Sequence, residues 1–186
     1  MTKFNIAKRI VRSKKGQAIM ELTFIVPIML ALVYGSVEIG QMISAYLTIT
    51  HTTREGANLT SRGALPNTAL DAVITAAAPL VRNNNQSQWR IIYSQITQQP
   101  GIPCPPKPCR YRVESQILRG NWSQTSKIGL PNGSDIVIPG IQDVDPGQTF
   151  HAVEVFFDYT PNVMTYIGTQ YMNKNFYERS IFTNVD

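Results

Sequence analysis

The sequence predicts an α+β protein, in which a long N-terminal transmembrane and then amphipathic helix leads into a small domain with an antiparallel β-sheet. Three observations predict it. Residues Leu22 to Val37 carry no charged side chain and follow a basic head. Beyond Glu38, apolar residues keep recurring at three- and four-residue spacing, the period of a helix. From Arg90 onward the pattern changes to short runs rich in β-branched and aromatic residues, which read as strands. A chain of 186 residues has room for one folded domain and an appendage. We divide it into a basic head (1–16), a hydrophobic then amphipathic helix (17–63) and an α+β domain (64–186).

The head accounts for the basicity. The formal net charge of +5 suggests an acidic partner, but Lys3, Lys8, Arg9, Arg12, Lys14 and Lys15 all fall in the first 16 residues. No Asp or Glu lies among them. Six of the 17 basic residues are thus in the head, leaving 11 against 12 acidic groups in the body. A nucleic-acid domain carries its charge on the folded body, so no nucleic-acid partner is expected. A basic head abutting an apolar run follows the positive-inside rule, and the partner it predicts is membrane lipid.

The uncharged run from Leu22 to Val37 rises about 24 Å, slightly short of a bilayer core. Starting at Gln17 brings it to about 31 Å, and takes Glu21 inside. A carboxylate at bilayer depth costs about 3 kcal/mol at a helix centre, so it needs a task or a partner, or must snorkel to the interface or be protonated. A cleaved secretory signal competes with this reading, but the segment is long and no small-x-small site follows it closely. Pro27 sits within the run and frees the carbonyl of Thr23, which permits a local kink. After Glu38, read as the point where the helix emerges into water, Ile39, Met42, Ile43, Tyr46, Leu47, Thr50 and Ala57 form one face. Gly56, Gly63 and Pro66 are the candidate end signals.

Residues 67–82 read as a second, shorter helix, with Thr68 and Asp71 at capping-box spacing. Strands are predicted over 90–97, 110–118, 150–159 and 176–185. The third places Val153, Val155, Phe157 and Tyr159 on one face and Glu154 and Asp158 on the other. Residues 119–148, rich in Gly, Pro, Asn, Ser and Asp, read as a long surface loop. The C-terminal aromatics, Phe156 to Tyr177, are expected in the core, with a partner surface as the alternative.

Few residues offer chemistry. Cys104 and Cys109, the only cysteines, cannot complete a four-ligand zinc site. With the head in the cytoplasm they lie outside, where a disulfide closing their proline-rich loop would contribute about 2 kcal/mol; two free thiols are the alternative. Asp143 and Asp145 before Gly147 make a fragment of a calcium loop without its third ligand or distant glutamate, and a turn explains them as well. His51 and His151 sit in no nucleophile motif, and no glycine-rich phosphate loop is present. No cofactor and no enzymatic activity are expected.

One resemblance remains. The stretch "KKGQAIMELTFIVPIML" (14–30) resembles the class III leader of type IV pilin-like proteins: a basic head, Gly16, four residues, then Glu21 and a hydrophobic helix. Over residues 16–57 the chain resembles more closely the TadE-like family of minor pilins in tight-adherence (Tad/Flp) pilus systems. Pro27 six residues after the glutamate, "VEIGQ" at 37–41 and "TREGA" at 53–57 carry that likeness. Leu22 departs from it, since many members have an aromatic residue there. The resemblance implies a pilin-like fold and a single-pass protein of a bacterial inner membrane, N-terminus cytoplasmic and C-terminal domain periplasmic, able to enter an extracellular pilus. It implies cleavage between Gly16 and Gln17 by a prepilin peptidase, which makes 1–16 a leader peptide. The other implied partners are pilin-like subunits of the same pilus and an inner-membrane assembly platform. Glu21 would set register by meeting a neighbouring subunit's new amine, so that two buried charges neutralise each other. The competing expectation is an extracytoplasmic binding module held permanently by its uncleaved head; there the N-x-S/T triplets at Asn58, Asn85, Asn121 and Asn132 would matter in a eukaryotic lumen.

Overall fold

The computed structural model describes residues 14–81, 86–98, 110–133, 135–136, 138, 148–161 and 175–184. It begins with helix α1, Lys14–Ser61, which runs without interruption through Pro27. Two units group separately: Met1–Gln41 with Pro161–Thr169, and Met42–Thr160 with Gln170–Asp186.

The end of α1 follows local chemistry. Gly63 takes a left-handed φ of 88°, its N–H reaches the Thr60 carbonyl, and the Ala64 N–H reaches that of Leu59. A residue without Cβ is what such a helix stop requires. Helix α2, Pro66–Ala76, then starts from Leu65 with proline in its first turn and no side-chain cap. The expected capping box is therefore not used: Thr68 lies inside the helix. Pro66 starts this helix, because its fixed φ suits the first turn and its missing N–H would have had no partner there. A further turn, α3 (Ala78–Val81), follows.

Four strands make one sheet: β1 (Trp89–Gln98), β2 (Tyr111–Arg119), β3 (Thr149–Asp158) and β4 (Asn175–Thr183). All pairings are antiparallel, in the order β2-β1-β3-β4. Each expected strand is present, with ends moved by one or two residues. The β1–β2 register shifts between Gln95 and Ile96, where Glu114 is the extra residue of a bulge.

Each sheet face is covered. Ile91, Tyr93, Val153, Val155 and Phe157 pack with Ala45, Ile49 and Ala57 of α1 and with Leu70 and Val73 of α2. The opposite face carries Ile96, Val113, Phe150 and Ala152, and the segment after β2 supplies Ile128 and Ile138 to this second cluster. That segment was expected to be a surface loop. Ile128 and Ile138 are instead core while Leu130 is exposed, and Ile136 bridges Tyr111 through two backbone hydrogen bonds of 2.8 and 3.0 Å. Polar composition concealed this, because three isoleucines spaced through a Gly- and Asn-rich stretch make no period. Gly120 turns the chain into the segment at a φ of 84°; a Cβ there would come within 2.3 Å of the Trp89 carbonyl oxygen.

Candidate functional site

The amino-terminal part of α1 is apolar and bare. Gly16 to Tyr34 are exposed throughout, including Phe24 at 67% and Ile28 at 61%. Gly16–Ser61 contains a stretch long and apolar enough to cross a membrane, as a single-pass protein requires. At its start, the Gln17 carboxamide Nε2 donates to Glu21 Oε1 at 3.1 Å, one helical turn on. Among the described residues, and apart from its own helix backbone and chain neighbours, nothing lies within 4 Å of a Cβ placed at Gly16. The Thr23 hydroxyl donates to the Ile19 carbonyl at 2.8 Å. Gly16, Gln17 and Glu21 thus lie within two turns of one helix, with Pro27 farther along an assigned helix that shows no break there.

Glu38 departs from expectation. Read as the point of emergence into water, it is only 3% exposed. It heads a row continuing through Met42, Ala45, Ile49, Thr52, Thr53, Gly56, Ala57 and Thr60, the three- and four-residue spacing of one helix face. The "TREGA" motif falls on the same row. Thr53 and Ala57 are fully buried, the Thr53 hydroxyl turns back to the Ile49 carbonyl at 2.6 Å, and a Cβ at Gly56 would lie 2.4 Å from Val73 Cγ2. Small residues here let α2 and the sheet approach the helix closely.

The sequence reading missed Glu154. Alternation placed it on a polar face, but it is completely buried. Its carboxylate accepts from Tyr177 Oη at 2.8 Å, from the Lys127 backbone N–H at 2.9 Å and from the Ser126 hydroxyl. Lys127 Nζ lies 3.9 Å from the Tyr177 ring centroid, a cation–π contact. Burial, and then the Glu154 charge beside it, push the Tyr177 hydroxyl pKa well above its usual value. One carboxylate thus ties β3, β4 and the covering segment together. Two of the three donors come from a stretch nearly 30 residues earlier and the third from β4, so no local pattern in β3 announces them.

His151 is held from both sides. Its Nδ1 lies 2.8 Å from Tyr93 Oη and its Nε2 meets Asn184 Oδ1, which fits a neutral ring with its proton on Nε2. Burial lowers its pKa, while the Asn184 hydrogen bond acts in the opposite direction; burial also pushes the Tyr93 hydroxyl up to about 12. Phe156, Phe157 and Tyr159 are buried, as expected of core. Cys104, Cys109, Asp143, Asp145, Asn85, Tyr166 and Tyr171 lie outside the described residues.

Comparison with protein families matches residues 16–58 to a family described as TadE-like protein. The match covers the bare half of α1 and continues through "TREGA". Comparison with curated proteins and with solved structures finds no match.

Proposed function

We propose that this chain is a minor pilin or pseudopilin-like structural subunit of a tight-adherence pilus apparatus, without enzymatic activity. The carrying observation is that the TadE-like match begins at Gly16 and spans a helix half whose apolar side chains are bare. Such a surface is stable only in lipid or against similar helices. The basic head holds the helix at the cytoplasmic face. A prepilin peptidase removes that head after Gly16, leaving Gln17 as the new terminus. The helix can then leave the bilayer for neighbouring subunits, where Glu21 meets an amine and sets register.

Mass analysis of the protein from cells tests this reading. A chain starting at residue 17, and an uncut one from Gly16→Ala, support it. An intact head in a strain that assembles pili rejects it in favour of a permanently anchored module. Glu21→Val is expected to insert normally yet reduce piliation; unchanged piliation removes the registry role.

A further inference from the structure

The residue that cleavage would expose is a glutamine, and its side-chain nitrogen already rests on Glu21. An amino-terminal glutamine has a reaction open to few other residues, because its own α-amine can reach the side-chain carbonyl carbon and close a five-membered lactam. We propose that Gln17 closes to pyroglutamate once it becomes the first residue, with Glu21 carrying the proton. This rests on the reading that the cut falls after Gly16.

The step balances without an outside reagent. The neutral α-amine nitrogen attacks Cδ of Gln17 and forms the N–Cδ bond. The Cδ–Nε2 bond breaks, and Nε2 leaves as ammonia. The proton lost by the α-nitrogen passes to the Glu21 carboxylate and from it to Nε2, so Glu21 ends as it began. Nothing is oxidised or reduced. An α-amine with an ordinary pKa of about 8 is partly neutral near neutral pH, so the nucleophile is available. The 3.1 Å contact between Nε2 and Glu21 Oε1 puts the proton carrier on the leaving atom, the geometry general acid–base catalysis needs.

The consequence concerns assembly. A ring-closed terminus carries no cation. Such a subunit can receive a neighbour's amine at its own Glu21 but has none to give in return. It can therefore occupy only one end of a series of amine-to-carboxylate contacts.

Two arms test the idea. First, the amino-terminal peptide of the mature protein is weighed after isolation from cells. A peptide starting at Gln17 and lighter by one ammonia supports the proposal. A free amine on Gln17 overturns it while leaving the cleavage reading intact, and a different starting residue rejects the cleavage reading instead. Second, the full chain from residue 17 is released in vitro by a site-specific protease whose recognition sequence directly precedes Gln17, which removes dependence on the natural peptidase. Loss of ammonia is then followed over time in wild type and in Glu21→Gln. We expect the variant to close at least about tenfold more slowly, a fraction of what a well-placed general acid–base group contributes. Equal or faster closure overturns the role of Glu21. Gln17→Ala, which has no side-chain carboxamide, is expected to lose no ammonia from its terminus.

Discussion

The two halves of α1 are one continuous helix with opposite side-chain logic. From Gly16 to Val37 it carries Phe, Ile, Leu and Met side chains that are largely exposed. From Met42 to Ser61 it buries Ala45, Ile49, Thr52, Thr53, Gly56, Ala57, Thr60 and Ser61, and Ile43 and Leu47 are left substantially exposed. Hydrophobicity therefore does not say which half packs. The second half is buried because its row of small residues admits α2 and the sheet, and its threonine hydroxyls return to their own helix carbonyls, so their burial leaves no donor unsatisfied. The first half lacks such a row and needs a different environment.

Unfolding by urea can sharpen that contrast, because both tryptophans, Trp89 and Trp122, lie in the domain and report it alone. The largest loss is expected for Glu154→Ala, which strands three donors; about 4 kcal/mol follows if each hydrogen bond to the charge contributes 1.5–3 kcal/mol and relaxation recovers part. Next comes Gly56→Ala. Its methyl collides with Val73, and overpacking of about 1–3 kcal/mol exceeds the helix propensity gained, about 1 kcal/mol. Gly40→Ala, with open space around it, should leave the midpoint unchanged or raise it slightly; a loss as large as that at position 56 would erase the distinction between the halves.

A smaller effect is expected from pH. His151 has a depressed folded pKa, so the unfolded chain takes up its proton first as pH falls. Its contribution to stability is complete above the unfolded value of about 6.5 and declines below it. The decline stops once pH has passed the folded value. His151→Gln should flatten that part of the pH profile; an unaltered profile would assign the dependence elsewhere. The smallest change is expected for Glu21→Val, within about 0.5 kcal/mol of wild type as for a surface position, even as pilus assembly falls. A destabilised domain in that variant would break the separation between the two halves.

Much of this was readable in the sequence, and the failures have physical causes. The bare run, its glutamate and its proline were visible because one charge in an uncharged stretch stands out without knowledge of contacts. All four strands were visible because their alternation is local. Glu154 was not. Period two told which face it occupies, but burial depends on Ser126 and Lys127 arriving from a segment whose composition looks solvent-bound. Glu38 was misread because its charge suggested water, whereas it is buried. Pro66 was taken as a stop although it starts the next helix; position relative to Gly63 distinguishes the two roles.

The strand order has a consequence in time. β1 ends at Gln98, and its central partner β3 does not begin until Thr149. Synthesis proceeds at about 5–20 residues per second, so the β1–β3 pair cannot form until several seconds after β1 has left the ribosome. α1 emerges well before that and can enter a bilayer on its own. Until then the sheet can be no more than the β1–β2 hairpin, with the edge of β1 that β3 will cover left open, and a stall before β3 would leave that edge exposed to proteases.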